Sequence, residues 1–134
     1  MDAWVVYIGK YIQKNMSNYL LIGANSTIAQ ATLKMLLESN HQVYSTSRQG
    51  MVSGSSSVKH HIMDPVHDTF PDDFLPDRIQ GMVYFPGTIN LKPFKGLRQQ
   101  DLMHEFNVNF LGAVRSVQWA LKYLDDKSSI VLFS

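Results

Sequence analysis

The chain has 134 residues, 45% hydrophobic and 17% charged, with 8 Gly and 5 Pro, a composition of one soluble folding unit that excludes collagenous and disordered classes. Twelve Lys and Arg against eleven Asp and Glu give a net charge of +1, so no basic surplus drives nucleic-acid binding. Cysteine is absent, which removes disulfides, thiolate nucleophiles and Cys-type zinc sites and points to a cytoplasmic home. No apolar run approaches the roughly 20 residues of a membrane span. The start lacks a basic n-region, so no secretion signal is expected. Residues 1–17 read as an N-terminal extension and 18–134 as one domain.

From Asn18 onward, short β-rich runs alternate with helix-period segments, the order of a doubly wound parallel α/β sheet. Tyr19–Ile22 is predicted as a buried strand ending at Gly23. Ile28, Ala31, Thr32, Met35 and Leu36 then share a face of a first helix closed by Ser39–Asn40. Gln42–Ser47 is the second strand, and the Gly- and Ser-rich stretch Gln49–Ser57 a flexible connection. Val58–Met63 is a third strand, stopped at Asp64-Pro65, and Gly81–Phe85 a fourth, broken by Pro86-Gly87. Leu102, Phe106, Asn109, Phe110, Ala113, Val117, Ala120, Leu121 and Leu124 recur at helical steps, which predicts one long helix with Gln100 or Asp101 as its N-cap. Ser129–Ser134 is the fifth strand.

The turn Gly23-Ala-Asn-Ser-Thr-Ile-Ala29 joins the first strand to the first helix. Such a turn suits a dinucleotide diphosphate, because small residues admit close backbone approach and a helix N-terminus offers free N–H groups and partial positive charge. Gly23 supplies the tight bend and Asn25, Ser26, Thr27 and Ile28 the amides; the alternative is an ordinary βα turn capped by Asn25 or Ser26. At the end of the second strand stands Ser47-Arg48, where an acidic residue would select NAD, so NADP is favoured over NAD. His60, His61, Asp64, His67 and Asp68 carry metal-capable groups, but Pro65 and strand alternation scatter them, and no metal is expected.

These features together resemble the short-chain dehydrogenase/reductase family over Tyr19–Ser134. The glycine motif appears with only Gly23 kept, and the Asn-Asn-Ala-Gly motif as Tyr84-Phe85-Pro86-Gly87, while Val108-Asn-Phe-Leu-Gly112 matches the helix motif intact. The resemblance implies a Rossmann-type sheet ordered 3-2-1-4-5-6-7, truncated here after the fifth strand, and a cofactor site including Asp64, Pro65, Phe85, Pro86 and Gly87. It also implies catalytic roles for Asn109, as organiser of a proton-relay water, and for Ser134. Its activity is hydride transfer between a nicotinamide and a small-molecule carbonyl or alcohol substrate, with a Tyr-x-x-x-Lys acid/base pair expected beyond Ser134 and a homo-oligomer expected of the full-length form. The chain then holds a cofactor half, inactive by itself, with a fifth strand exposed as a sheet edge. A non-catalytic NADP-binding or regulatory protein of the same fold is the rival reading.

Overall fold

The computed structural model describes residues 16–50 and 55–133, so the extension up to Asn15, residues 51–54 of the Gly- and Ser-rich connection and Ser134 lie outside the described residues. Five strands, β1 (Asn18–Ile22), β2 (Gln42–Ser47), β3 (Val58–Ile62), β4 (Gly81–Tyr84) and β5 (Ser129–Leu132), form one sheet in the order β3-β2-β1-β4-β5. Every pairing is parallel, with Ile22 beside both Thr46 and Tyr84. The predicted strand limits agree with this to within a residue or two.

Side chains leave a strand on alternate faces, and β1 feeds two cores. Leu20 and Ile22 join Tyr44, Met82, Tyr84, Ala113 and Trp119 on one face. Leu21 points the other way, to Val43, Ala29, Leu33 and Phe85. Each such fully buried aliphatic contributes about 1.5–3 kcal/mol of transfer free energy. A strand buried on both faces reads as a continuous apolar run, which is why β1 is legible.

Helix α1 (Thr27–Glu38) starts at Ser26, whose Oγ accepts the Ala29 N–H at 3.2 Å, and stops where Asn40 takes a φ of 60°. Its inward face corrects the sequence expectation. Ala29 and Leu33 are buried and Leu36 and Leu37 half-buried, whereas Ile28 and Met35 are 48% and 68% exposed. Apolar residues occupy two sides of this helix, and the side continuing through Ala29 and Leu33 meets the sheet.

The predicted long helix is split into α2 (Gln99–Phe106), a π segment (Asn107–Leu111) and α3 (Gly112–Ala120). The N-cap is Arg98, not Gln100 or Asp101; Asp101 instead sits at the third helical position and accepts the Arg98 N–H at 3.0 Å. In the π segment the Gly112 N–H reaches back five residues to the Asn107 carbonyl. The wider turn rotates everything after it relative to everything before it. Ala113, Ser116, Trp119 and Ala120 therefore face the sheet while Leu102, Phe106 and Phe110 are more than half exposed. The single apolar stripe read from the sequence is two stripes out of phase.

The segment between β3 and β4 is irregular but held. Arg115 donates to the carbonyls of Pro65, Val66 and Asp68 while stacking on Phe70, and Trp119 donates to the Pro71 carbonyl at 3.1 Å. Strand β5 has β4 as its described neighbour, and its residues Ile130, Val131 and Leu132 are 42–57% exposed. Among the described residues, no helix is long and apolar enough to cross a membrane.

Candidate functional site

In an open parallel sheet, ligands bind beyond the carboxyl ends of the strands, at the point where successive connections turn to opposite sides. Here β1 lies between β2 and β4, so that point lies between the ends of β1 and β4. The chain segments leaving those ends are 23–28, 85–88, 47–50 and 63–65.

Gly23 has φ +77°, a conformation L side chains rarely adopt. A Cβ there would stand 2.7 Å from Pro86 Cγ. Besides making the tight bend, Gly23 leaves room for Pro86, locking the exit of β1 to the exit of β4. The turn itself is open: Asn25, Ser26, Thr27 and Ile28 are all exposed. They sit at the amino end of α1, whose first-turn N–H groups lack intrahelical acceptors, with only Ala29 N–H satisfied by the cap. The residues present fit an anionic diphosphate at 25–28, with Gly23 shaping the bend beneath it.

Arg48 is exposed at the end of β2, and Asp64 is half-exposed at the end of β3. Burial pushes the Asp64 carboxyl up, but the Val66 N–H bond, the His67 hydrogen bond and charge, and the Arg48 charge together hold it below the usual carboxylate range. The Asp64 oxygens are already engaged, one accepting Val66 N–H at 2.8 Å and the other 3.2 Å from His67 Nδ1. Pro65 is buried and its carbonyl is held by Arg115. Ser47 is also turned inward: its hydroxyl donates to the Gln49 carbonyl and lies 3.1 Å from His60 Nε2. Of the pair read at the end of β2, only Arg48 faces outward.

Beyond β4, Phe85 is buried against the α1 core and near Phe133, with ring centroids 6.2 Å apart, while Gly87 is exposed. Asn109, in the π segment, accepts the Thr88 N–H and donates to the Thr88 carbonyl, each at 2.8 Å. Both ends of its amide fasten the loop after β4 to the long helix, which is a backbone-bound role for this side chain. Beneath it, Tyr84 donates to the Val108 carbonyl at 2.6 Å. Burial, and secondarily the Asp64 charge, push the Tyr84 hydroxyl up to about 12. A Cβ on Gly112 would lie 2.4 Å from that hydroxyl, so the glycine of the helix motif makes room for Tyr84.

Gly23 to Ile28, Arg48, Asp64, Pro86, Gly87 and Asn109 thus gather at one edge of the sheet, whereas Ser47, Pro65 and Phe85 are packed beneath it. Ser134 lies outside the described residues. Although the Tyr-x-x-x-Lys pair is expected beyond Ser134, the chain does contain that spacing once among the described residues, at Tyr123 and Lys127. It stands at the opposite edge: the Tyr123 carbonyl accepts Ile79 N–H just before β4, and its hydroxyl donates to Asp72. This pair is not an acid/base pair for that site. His60 is the residue the sequence reading underuses; the signal was the three hydroxyl residues Ser45, Thr46 and Ser47, all buried, ending β2.

No family model matches the sequence, and no curated protein does. Solved structures do match. A short chain dehydrogenase family protein from Francisella tularensis has TM-score 0.73 at 18% identity, covering 87% of this chain and 50% of its own. Thermoplasma acidophilum aldohexose dehydrogenase has TM-score 0.74 at 17% identity, covering 90% of this chain and 49% of its own. A carbonyl reductase from Pseudomonas aeruginosa has TM-score 0.76 at 15% identity, covering 89% of this chain and 62% of its own. The chain spans about half the length of the first two. Its sheet order and the placement of its helices are those of the short-chain dehydrogenase/reductase fold.

Proposed function

We propose that the carboxyl edge of the sheet binds a nicotinamide dinucleotide, preferring NADP, and that the chain supplies the cofactor-binding part of an oxidoreductase acting on a carbonyl or alcohol. The observation carrying this reading is the exposed turn Asn25–Ile28 at the amino end of α1, beside the carboxyl ends of the neighbouring strands β1 and β4. The backbone amides of that turn would hold the diphosphate, Arg48 a ribose 2′-phosphate and Asp64 the adenine side. The cofactor, when bound, supplies the hydride. The chain's own residues orient it: Pro86 on Gly23 and Asn109 on Thr88 fix the floor and wall on which the nicotinamide half would rest.

Titration with NADPH and NADH by fluorescence or calorimetry tests the reading. Selective NADPH binding that falls in Arg48→Asp supports it; equal affinity for both cofactors removes Arg48 from the site, and binding of neither refutes it. A second reading, a non-catalytic nucleotide-binding protein, is favoured by Tyr84 and Phe85, whose side chains are engaged in packing, and by Asn109, whose amide is bound at both ends to Thr88. NADPH oxidation with a carbonyl substrate by the reading frame extended past Ser134 separates the two.

A further inference from the structure

Strand β3 presents Val58, His60 and Ile62 to the α1 side of the sheet, where Val58 packs on the apolar core. Burial alone would be served by another aliphatic at the middle position. Instead the His60 ring reaches across to β2, with Nδ1 2.8 Å from Ser45 Oγ and Nε2 3.1 Å from Ser47 Oγ and 3.3 Å from the Gln49 carbonyl. A carbonyl only accepts, so Nε2 carries the hydrogen and Nδ1 is the acceptor of Ser45. Desolvation, reinforced by the charge of His61, outweighs the Gln49 bond and depresses the proton affinity of His60, which keeps that neutral tautomer in place.

The Gln49 carbonyl is a meeting point. Besides His60 it receives the Ser47 hydroxyl and, at 3.5 Å, the side-chain amide of Asn25 from the turn before α1. One peptide group next to Arg48 is thereby tied to β2, to β3 and to the diphosphate turn. We propose that His60 is a positioning residue for cofactor choice: by holding the Gln49 carbonyl it fixes the turn that carries Arg48, and so sets how well Arg48 meets a 2′-phosphate. The proposal rests on the cofactor reading above.

The test uses conservative variants, with cofactor discrimination as the readout. His60→Gln keeps a donor at the place of Nε2, whereas His60→Asn carries its donor near Nδ1, short of Gln49. NADPH and NADH dissociation constants are measured for the wild type and both variants, together with 15N relaxation at Arg48, Gln49 and Gly50. The expected result is that His60→Asn loses about tenfold of the NADPH-over-NADH preference, the size of one charge-assisted hydrogen bond, with NADH affinity unmoved and with raised mobility at those amides. His60→Gln stays within about twofold of wild type. An unchanged preference in His60→Asn, or equal weakening toward both cofactors, overturns the proposal. Unchanged relaxation in His60→Asn overturns the pin even where NADPH binds selectively. A wild type that binds neither cofactor, with relaxation still responding to His60, overturns the cofactor reading and the role in cofactor choice while leaving the pin standing.

Discussion

Replacing Gly23 by alanine is the sharpest perturbation the structure offers. At φ +77° a non-glycine residue costs about 1–2 kcal/mol. The added Cβ would also stand 2.7 Å from Pro86 Cγ and 2.8 Å from Pro86 Cδ, contacts that require the proline to move. Forcing a methyl into a packed site costs a further 1–3 kcal/mol or about that. The sum, about 2–5 kcal/mol, corresponds to roughly 7–18 °C in Tm for a domain of this size. Urea unfolding followed by circular dichroism measures it. The clash is separable from the backbone strain: in Gly23→Ala/Pro86→Ala the ring is gone, and about 1 kcal/mol or more of favourable coupling is expected from the double-mutant cycle. Gly23→Ala within about 0.5 kcal/mol of wild type, or a cycle with no coupling, refutes the claim that Pro86 occupies the space above the bend.

Three further outcomes follow from the same interior. Tyr84→Phe removes the donor to Val108 and should cost about 1–2 kcal/mol near neutral pH. Because the folded-state pKa is raised to about 12, this tyrosine's contribution is complete below pH 10 and is lost between pH 10 and about 12; the variant should lack that loss, roughly 2–3 kcal/mol of alkaline slope in urea titrations. Thr46→Val should raise stability by about 1 kcal/mol, since the buried Thr46 hydroxyl has no hydrogen-bond partner, and a loss on substitution would show that an ordered water satisfies it. Val131→Lys, on a strand whose face is 46% exposed at that residue, should reduce self-association in light scattering; a wild type that is monodisperse at high concentration would contradict the expectation that this edge is adhesive.

The strands were legible because each carries a local signature. Leu20, Leu21 and Ile22 form an apolar run bounded by Gly23, and Gly81–Tyr84 ends at Pro86-Gly87. Helix faces were less so. In α1 both Ile28-Met35 and Ala29-Leu33 satisfy a helical period, and only the sheet decides between them. Asn109 and Asp64 were found as positions, but not their engagements: the bond to Thr88 depends on a loop 21 residues away, and the Asp64 contacts on a turn whose geometry no spacing specifies. His60 escaped because its partners lie on another strand. A polar residue in a buried register is visible only once Ser45 is known to face it.

The π segment makes the long helix sensitive to its winding in a way composition does not reveal. Five residues fill the turn Asn107–Leu111 where an α-helix holds four, so rewinding the same residues as α-helix would swing Trp119 and its neighbours by about 100°. Trp119 would leave Pro71, and Arg115 the carbonyls beyond β3, although no side chain of either had changed. The exposed positions Leu102, Met103 and Phe106 should accept many substitutions, whereas a change that straightens the turn a few residues later should not be tolerated.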